Sequence, residues 1–315
     1  MTNAVQETAI GTGKYADLLI RCERLDPIPT AVAHPCEATA LSGAIEAAKI
    51  GLITPILVGP AAKIEIAAKS AGIKTGDFEI VDVPHSVASA TKAVELLREG
   101  RAELLMKGSL HTDELMAAVI SREGGLRTGR RISHVFVMDV PTYHKVLIIT
   151  DGAINIAPTL EDKADICQNA IDLAVSLGRE RPKVAILAAV ETVTTRMPAT
   201  IDAAALCKMA ERGQIKGGIL DGPLAFDNAI SREAAITKDI HSPVAGDPDI
   251  LLAPDLEAGN ILAKQLSFLA RADSAGLVLG ARVPIILTSR ADTVRSRIAS
   301  CAVAMLAAHA RRERK

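Results

Sequence analysis

Apolar residues fall along this chain in short unbroken runs that alternate with stretches of 3.6-residue period. Thr30–Ala33, Ile53–Gly59, Phe78–Val81 and Leu104–Met106 read as buried strands. Between them, helices are predicted through Ala44–Ala48, Ile64–Ala71 and Val87–Glu99, each keeping one apolar face, with an earlier helix over Tyr15–Ile20. Pro35 and Gly59-Pro60 punctuate the strand ends. Strands and helices alternating at these lengths predict a parallel sheet with both faces covered, which makes the fold class α/β.

From Val135 the pattern changes. Val135–Asp139 and Val146–Thr150 predict an antiparallel pair joined by a turn with Pro141 and His144, and a first domain boundary falls here. A helix is then predicted over Leu160–Leu177, a strand over Val184–Ala188 and a helix over Asp202–Arg212 begun by Thr200. Strands follow at Gly217–Leu224, ending in an Asp-Gly-Pro turn, and at Ile250–Asp255. A helix over Gly259–Ala272 carries Lys264. The last strand, Val283–Leu287, leads into a helix whose apolar face is Val294, Ile298, Cys301, Ala302 and Met305.

In open α/β sheets ligands bind beyond the carboxyl ends of strands, so the polar residues placed there are the candidates. Lys107, Gly108, Ser109, His111 and Thr112 follow the Leu104–Met106 strand. Gly108 permits close backbone approach, and its neighbours offer donors to an anion. The plainer reading is that Thr112 caps the helix from Asp113 and Lys107 is solvated. Ser289, Arg290 and Asp292 follow the last strand. Ser289 and Asp292 are spaced as a capping box, which accounts for both without any ligand. Arg290 does not fit that account, because a cation in a first helical turn opposes the macrodipole. Asp221 ends a strand and is a further candidate, though turn chemistry alone explains it. Arg122, Arg127, Arg130 and Arg131 form a basic loop that could grip phosphates bidentately, surface charge being the commoner explanation. Gly11-Thr12-Gly13-Lys14 lacks the preceding strand and the spacing of a phosphate loop.

Composition narrows the functions. The 315 residues are 49% hydrophobic, which suits two domains with ample core, and the net charge is -1. With no Trp, two Tyr and four Phe, base stacking on aromatics is excluded, and no nucleic-acid partner is expected. No apolar run is long enough for a bilayer and Met1–Gln6 lacks a signal-peptide charge pattern, so no membrane association and a cytoplasmic location are expected. Cys22, Cys36, Cys167, Cys207 and Cys301 are scattered and read as buried free thiols, and no metal-ligand spacing occurs.

Four motifs in order resemble the phosphate acetyltransferase and phosphate butyryltransferase family: Met106–Thr112, Asp221–Ala225, Pro254–Asn260 and Pro284–Asp292. The resemblance covers nearly the whole chain. It implies the reaction acyl-CoA plus orthophosphate giving acyl phosphate plus CoA. It also implies a homodimer, and two α/β domains of a fold similar to isocitrate and isopropylmalate dehydrogenases. The first domain would take 1–133 with 277–315 and the second 134–276, with the active site in the cleft between them. No metal and no cofactor beyond the coenzyme A thioester substrate is implied. The family's catalytic Ser-Arg pair matches Ser289 and Arg290. The thiol base of acetyl-specific members falls at Ser296, which leaves Asp292 for the role, as in the Ser-Arg-Ala-Asp pattern of butyryl-like members. Two arginines of acetyl-specific members are replaced by Met116 and Phe268. Lys107, Gly108, Ser109, His111, Thr112, Asp221 and Lys264 are the expected phosphate and CoA contacts. The alternatives are a non-catalytic CoA-binding module and a metal- and NAD-dependent decarboxylating dehydrogenase of the related fold.

Overall fold

The computed structural model describes residues 13–288 and 292–313. The chain divides into two compact units, one built from the described residues up to Arg130 with those from Ala275 onward, the other from Arg131–Ser274.

The first unit opens with α1 (Lys14–Cys22), β1 (Ile28–Ala33), α2 (Ala38–Lys49), β2 (Ile53–Gly59) and α3 (Ala61–Ala71). It continues with β3 (Glu79–Asp82), α4 (Ser86–Arg98), β4 (Leu104–Lys107) and α5 (Thr112–Ile120). The second unit holds β5 (Ser133–Asp139), β6 (Leu147–Thr150), α6 (Leu160–Ser176), β7 (Lys183–Leu187), α7 (Pro198–Glu211) and β8 (Ile219–Leu224). Short helices α8 (Phe226–Ile230) and α9 (Arg232–Thr237) precede β9 (Ile250–Leu252) and α10 (Leu256–Leu269). The chain then returns to the first unit through β10 (Asp273–Leu279), β11 (Ile285–Ile286) and α11 (Val294–Glu313).

Strand order in the first unit is β3-β2-β1-β4-β11-β10, parallel except where β10 runs against β11. In the second it is β5-β6-β9-β7-β8, parallel except for the β5–β6 pair that the sequence predicts. The central strands are continuous aliphatic runs, and Ile28, Leu57, Leu104, Leu105 and Met106 are fully buried, as a sheet covered on both faces requires.

Several elements depart from the sequence pattern for local reasons. The helix expected from Gly259 begins at Leu256, because Asp255 accepts the Ala258 N–H at 2.8 Å and caps it. The helix expected from Asp202 begins at Pro198, a residue suited to the first helical position. Asp221-Gly222-Pro223 is no turn but part of β8, an edge strand where a missing N–H leaves no ladder unsatisfied. Strand β10 escaped the pattern, since its opening Asp273-Ser274 and internal Gly276 mimic a turn. The last strand contracts to Ile285–Ile286. In α11 every residue from Ser296 to Ala308 is buried, where a single apolar face is expected. Small residues on all sides let it pack against α1, α2, β4 and β11 at once. The thiols also differ from expectation: Cys22, Cys167 and Cys301 are buried, but Cys36 and Cys207 are only half-buried.

Candidate functional site

In the first unit the parallel register pairs Ile285 with Leu105 and Ile286 with Met106. Strands β4 and β11 therefore end side by side, so Lys107 and the residues up to Thr288 leave the sheet at one edge. Next to β4 on its other side is β1, paired Ala33 to Lys107. Three strand ends thus meet where the topology of an α/β sheet puts ligands.

The β4 and β1 ends are zipped together. Gly108 N–H donates to Ala33 O at 2.9 Å and Ser109 N–H to His34 O at 2.9 Å. A Cβ on Gly108 would lie 2.4 Å from Ala33 O, so only glycine fits here. The Ser109 hydroxyl donates to His34 O at 2.8 Å and accepts the Cys36 N–H at 3.2 Å. It therefore braces the loop. Lys107 is buried, with Nζ 3.5 Å from Gly108 O.

His34, which the sequence pattern did not single out, takes positive φ at 57° and packs its ring against α4. Its Nδ1 lies 3.0 Å from Ser89 Oγ, and that hydroxyl donates to His85 O at 2.9 Å. The serine proton being committed, Nδ1 must be the donor and Nε2 of the neutral ring is left as acceptor. Burial, then the Lys63 ammonium, pushes the His34 pKa below its ordinary value, which favours that neutral form. The only sequence signal was its place at the end of a strand.

The expected cap on α5 is displaced by one residue. Thr112 is the first helical residue, and His111 is the N-cap, its N–H donating to Glu114 Oε2 at 3.0 Å. Glu114 Oε1 accepts the Ser86 hydroxyl at 2.7 Å, and the bonds from Ser86 and His111 hold this carboxyl below the usual range. With Asp113 also in the first turn, the positive end of α5 is already answered by acids. His111 is exposed and Thr112 half-buried.

Ser289 and Arg290 lie outside the described residues; their flanks do not. Helix α11 begins at Val294, and its cap is Thr293, whose hydroxyl oxygen accepts the Ser296 N–H at 3.1 Å. The capping-box reading of Ser289 with Asp292 is thereby corrected: Asp292 precedes the cap and is half-buried. Ser296 is 6% exposed and sits inside the helix.

Two expected contacts belong to the second unit. Asp221 is half-buried on β8, its Oδ1 accepting the Gly222 N–H at 2.9 Å, and Lys264 is exposed on α10. The same unit holds a polar knot read from the sequence only as a turn. The Asp151 carboxylate accepts the N–H groups of Ala153 at 2.8 Å and Ile154 at 3.0 Å, and the Asn155 amide at 2.6 Å. Beside it His134 is buried with no partner at Nδ1; burial lowers its pKa and the Asp151 charge opposes this only in part. Between the end of β7 and α10 lies an apolar cavity of about 700 Å³, lined by Leu187, Phe226, Pro254, Ile261, Leu262 and Leu266. Among the described residues no His, Cys, Asp and Glu side chains converge in a set of three that could hold a metal. Nor is any helix among them long and apolar enough to cross a membrane.

Known proteins give this geometry a context. Residues 83–305 match the family model described as Phosphate acetyl/butaryl transferase. A phosphate acetyltransferase of Rhizobium meliloti is 67% identical over 299 residues, covering 95% of each chain. A phosphate butyryltransferase of Clostridium acetobutylicum is 40% identical over 294 residues, 93% of this chain and 98% of that one. The crystal structure of a branched-chain phosphotransacylase from Enterococcus faecalis superposes with TM-score 0.78 at 30% identity, covering 90% of this chain and 99% of the other. A 4-hydroxythreonine-4-phosphate dehydrogenase from Burkholderia phymatum, at TM-score 0.52 and 13% identity over 90% of this chain and 99% of that one, shares the fold.

Proposed function

The chain belongs to the phosphate acetyl/butyryl transferase family, and from that premise we propose that it moves an acyl group between the sulfur of coenzyme A and orthophosphate. It is an acyltransferase. The observation in the molecule that supports the reading is the parallel β4–β11 pairing, which ends the strand leading to Thr288 beside the one that ends in Lys107.

The chemistry fits the residue types that the motifs supply. A phosphate oxygen attacks the thioester carbonyl, negative charge builds on the carbonyl oxygen, and the carbon–sulfur bond then breaks to release CoA. Arg290 is assigned to the developing oxyanion and Ser289 to a hydrogen bond on phosphate or carbonyl. In the opposite direction a thiol of pKa ~8.5 needs a base, and Asp292 is assigned that role, free of the capping duty that Thr293 performs. Lys107 and the Gly108 loop are assigned to phosphate, with His111, Thr112, Asp221 and Lys264 as further substrate contacts. Both substrates held together make an acyl-enzyme unnecessary, and no metal or further cofactor enters the scheme.

The decisive assay measures thiol release from acetyl-, propionyl- and butyryl-CoA with and without phosphate. Phosphate-dependent release is expected. CoA binding by calorimetry without turnover of any acyl-CoA would leave a binding module instead. The same series settles chain length, which the replacement of two arginines by Met116 and Phe268 leaves to experiment.

A homodimer and a cytosolic location complete the proposal. Ile261, Phe268 and Leu269 on α10 are 64%, 79% and 77% exposed beside the apolar cavity, a face suited to a second copy. Light scattering is expected to give twice the chain mass, and Leu269→Lys to give the single mass. Five free cysteines suit a reducing compartment.

A further inference from the structure

The residue just past β1 is held in a backbone conformation that a side chain resists. His34 takes a φ of 57°, in the left-handed region that glycine enters without steric cost. Three segments tie it there. Its N–H donates to Val58 O of β2 at 2.7 Å, and its carbonyl accepts the N–H groups of Cys36 and Ser109 at 2.9 Å each and the Ser109 hydroxyl at 2.8 Å. A Cβ on Gly108 would come within 2.5 Å of His34 O, so the loop after β4 closes directly on this residue. A glycine at 34 would make the same backbone bonds without strain, so what the position retains is the imidazole.

The ring is fixed as firmly as the backbone. Ser89, fully buried in the first turn of α4, donates its hydroxyl to His85 O and so accepts from His34 Nδ1 at 3.0 Å. Nε2 is then a lone pair. Among the described residues no group bonds Nε2, and it is not one of the polar atoms sealed from solvent, so it is open to an incoming donor. Burial is the largest influence against a proton on the ring, and Lys63 of α3 and His85 at the cap of α4 act with it, while Glu114 of α5 and Glu37 at the cap of α2 act the other way. Both Glu114 oxygens are already engaged, by Ser86 and by the His111 N–H.

An open acceptor bonded through its own carbonyl to a loop assigned to phosphate calls for an anion that still carries a proton. Orthophosphate meets that need, because near neutral pH its dianion keeps one P–O–H. A phosphate monoester such as that of CoA has lost its last proton above about pH 6.

We propose that His34 selects orthophosphate: Nε2 accepts the P–O–H of hydrogenphosphate beside the Gly108 loop, and the same lone pair turns away sulfate, an anion of like shape and charge with no proton to donate. This rests on the transferase reading above. A site that depends on a substrate hydroxyl rejects the analogue that lacks it, since acceptor then faces acceptor.

The test measures phosphate-dependent thiol release from an acyl-CoA that the wild type turns over, with sulfate as competitor, in wild type, His34→Asn and Ser89→Ala. Asparagine tolerates positive φ, so the backbone is kept while Nε2 is lost. Wild type should have a sulfate Ki at least about a hundredfold above its phosphate KM. In His34→Asn the phosphate KM should rise by about tenfold to a hundredfold with the acyl-CoA KM within about threefold, and the ratio of sulfate Ki to phosphate KM should fall by about tenfold or more. Ser89→Ala removes the bond that fixes the ring and its tautomer, and the ratio should fall by about threefold to tenfold. An unchanged ratio in His34→Asn, a rise confined to the acyl-CoA KM, or a wild type that binds sulfate as tightly as phosphate overturns the proposal. If His34→Asn does not fold, an unchanged ratio in Ser89→Ala does so. A wild type whose thiol release ignores phosphate removes the transferase reading itself, which is a different failure.

Discussion

Two charged clusters, one in each unit, differ in what their cations meet. In the second unit, at the starts of β7 and β9, Lys145 reaches Asp247 and Asp249 at 2.9 Å each and Lys183 reaches Asp247 at 2.6 Å. Lys183 N–H also donates to Asp249 Oδ2 at 2.8 Å, and Tyr143 OH to Pro248 O at 2.6 Å. Burial works to raise the Asp247 pKa, but hydrogen bonds from Lys183 and Lys145 outweigh it and hold the carboxyl far below its usual range. Here ammonium groups meet carboxylates directly. At the carboxyl ends of β1, β4 and β11 in the first unit, buried Lys107 and Arg297 reach neutral oxygens, Gly108 O and Thr288 Oγ1. The first cluster is held by ion pairs, and the second borders the strand ends to which the substrate contacts are assigned.

If this contrast is sound, substitutions at the two ends should separate activity from stability. The largest effect is expected at Arg290→Ala, with turnover reduced by roughly two to three orders of magnitude, as for a lost oxyanion donor. Its unfolding temperature should stay near wild type; near-normal rates would misplace the site. Next is Gly108→Ala, where a methyl meets Ala33 O at 2.4 Å. Parting the β1 and β4 ends should lower kcat by about tenfold to a hundredfold through misplacement alone, with about 1–3 kcal/mol of stability lost to overpacking.

On the brace side, Lys183→Met should leave kcat unchanged and cost about 1–2 kcal/mol, the pair with Asp247 being partly solvated. The sign of its pH dependence follows from the depressed Asp247 pKa. Such a carboxyl adds stability that is complete above its unfolded value near ~3.9 and is lost as pH falls through the folded value. In denaturant titrations the gap between wild type and variant should therefore start to narrow below about pH 4 and close only at much lower pH. A gap that does not narrow would mean packing, not charge, was lost. The smallest effect is expected at His134→Gln. A buried imidazole with lowered pKa leaves the unfolded chain to bind the extra proton, so wild-type stability should decline as pH drops below ~6.5. The variant should show a flatter profile over that range.

Much of the architecture was legible because it rests on local pattern. Continuous aliphatic runs such as Ile53–Gly59 have few other uses than a buried strand, and Gly108 after Met106 announced close backbone approach. What escaped had conflicting local signals. Asp273-Ser274 hides β10, Asp221-Gly222-Pro223 imitates a turn within an edge strand, and Asp151-Gly152 reads as a turn although its carboxylate gathers three backbone amides and a side-chain amide. The capping box of Ser289 and Asp292 failed for a related reason. Thr293 and Ser296 carry an equally good capping signal, and only the folded helix shows which is used.

The α/β class, the run of strands and helices and the family were legible in the chain alone, since each depends on neighbours in sequence. Only the tertiary structure decided that β11 lies between β4 and β10, that His34 faces Ser89, and that Arg297 reaches Thr288 past Gly43. These contacts join residues distant in sequence, and no local propensity encodes which strand end meets which.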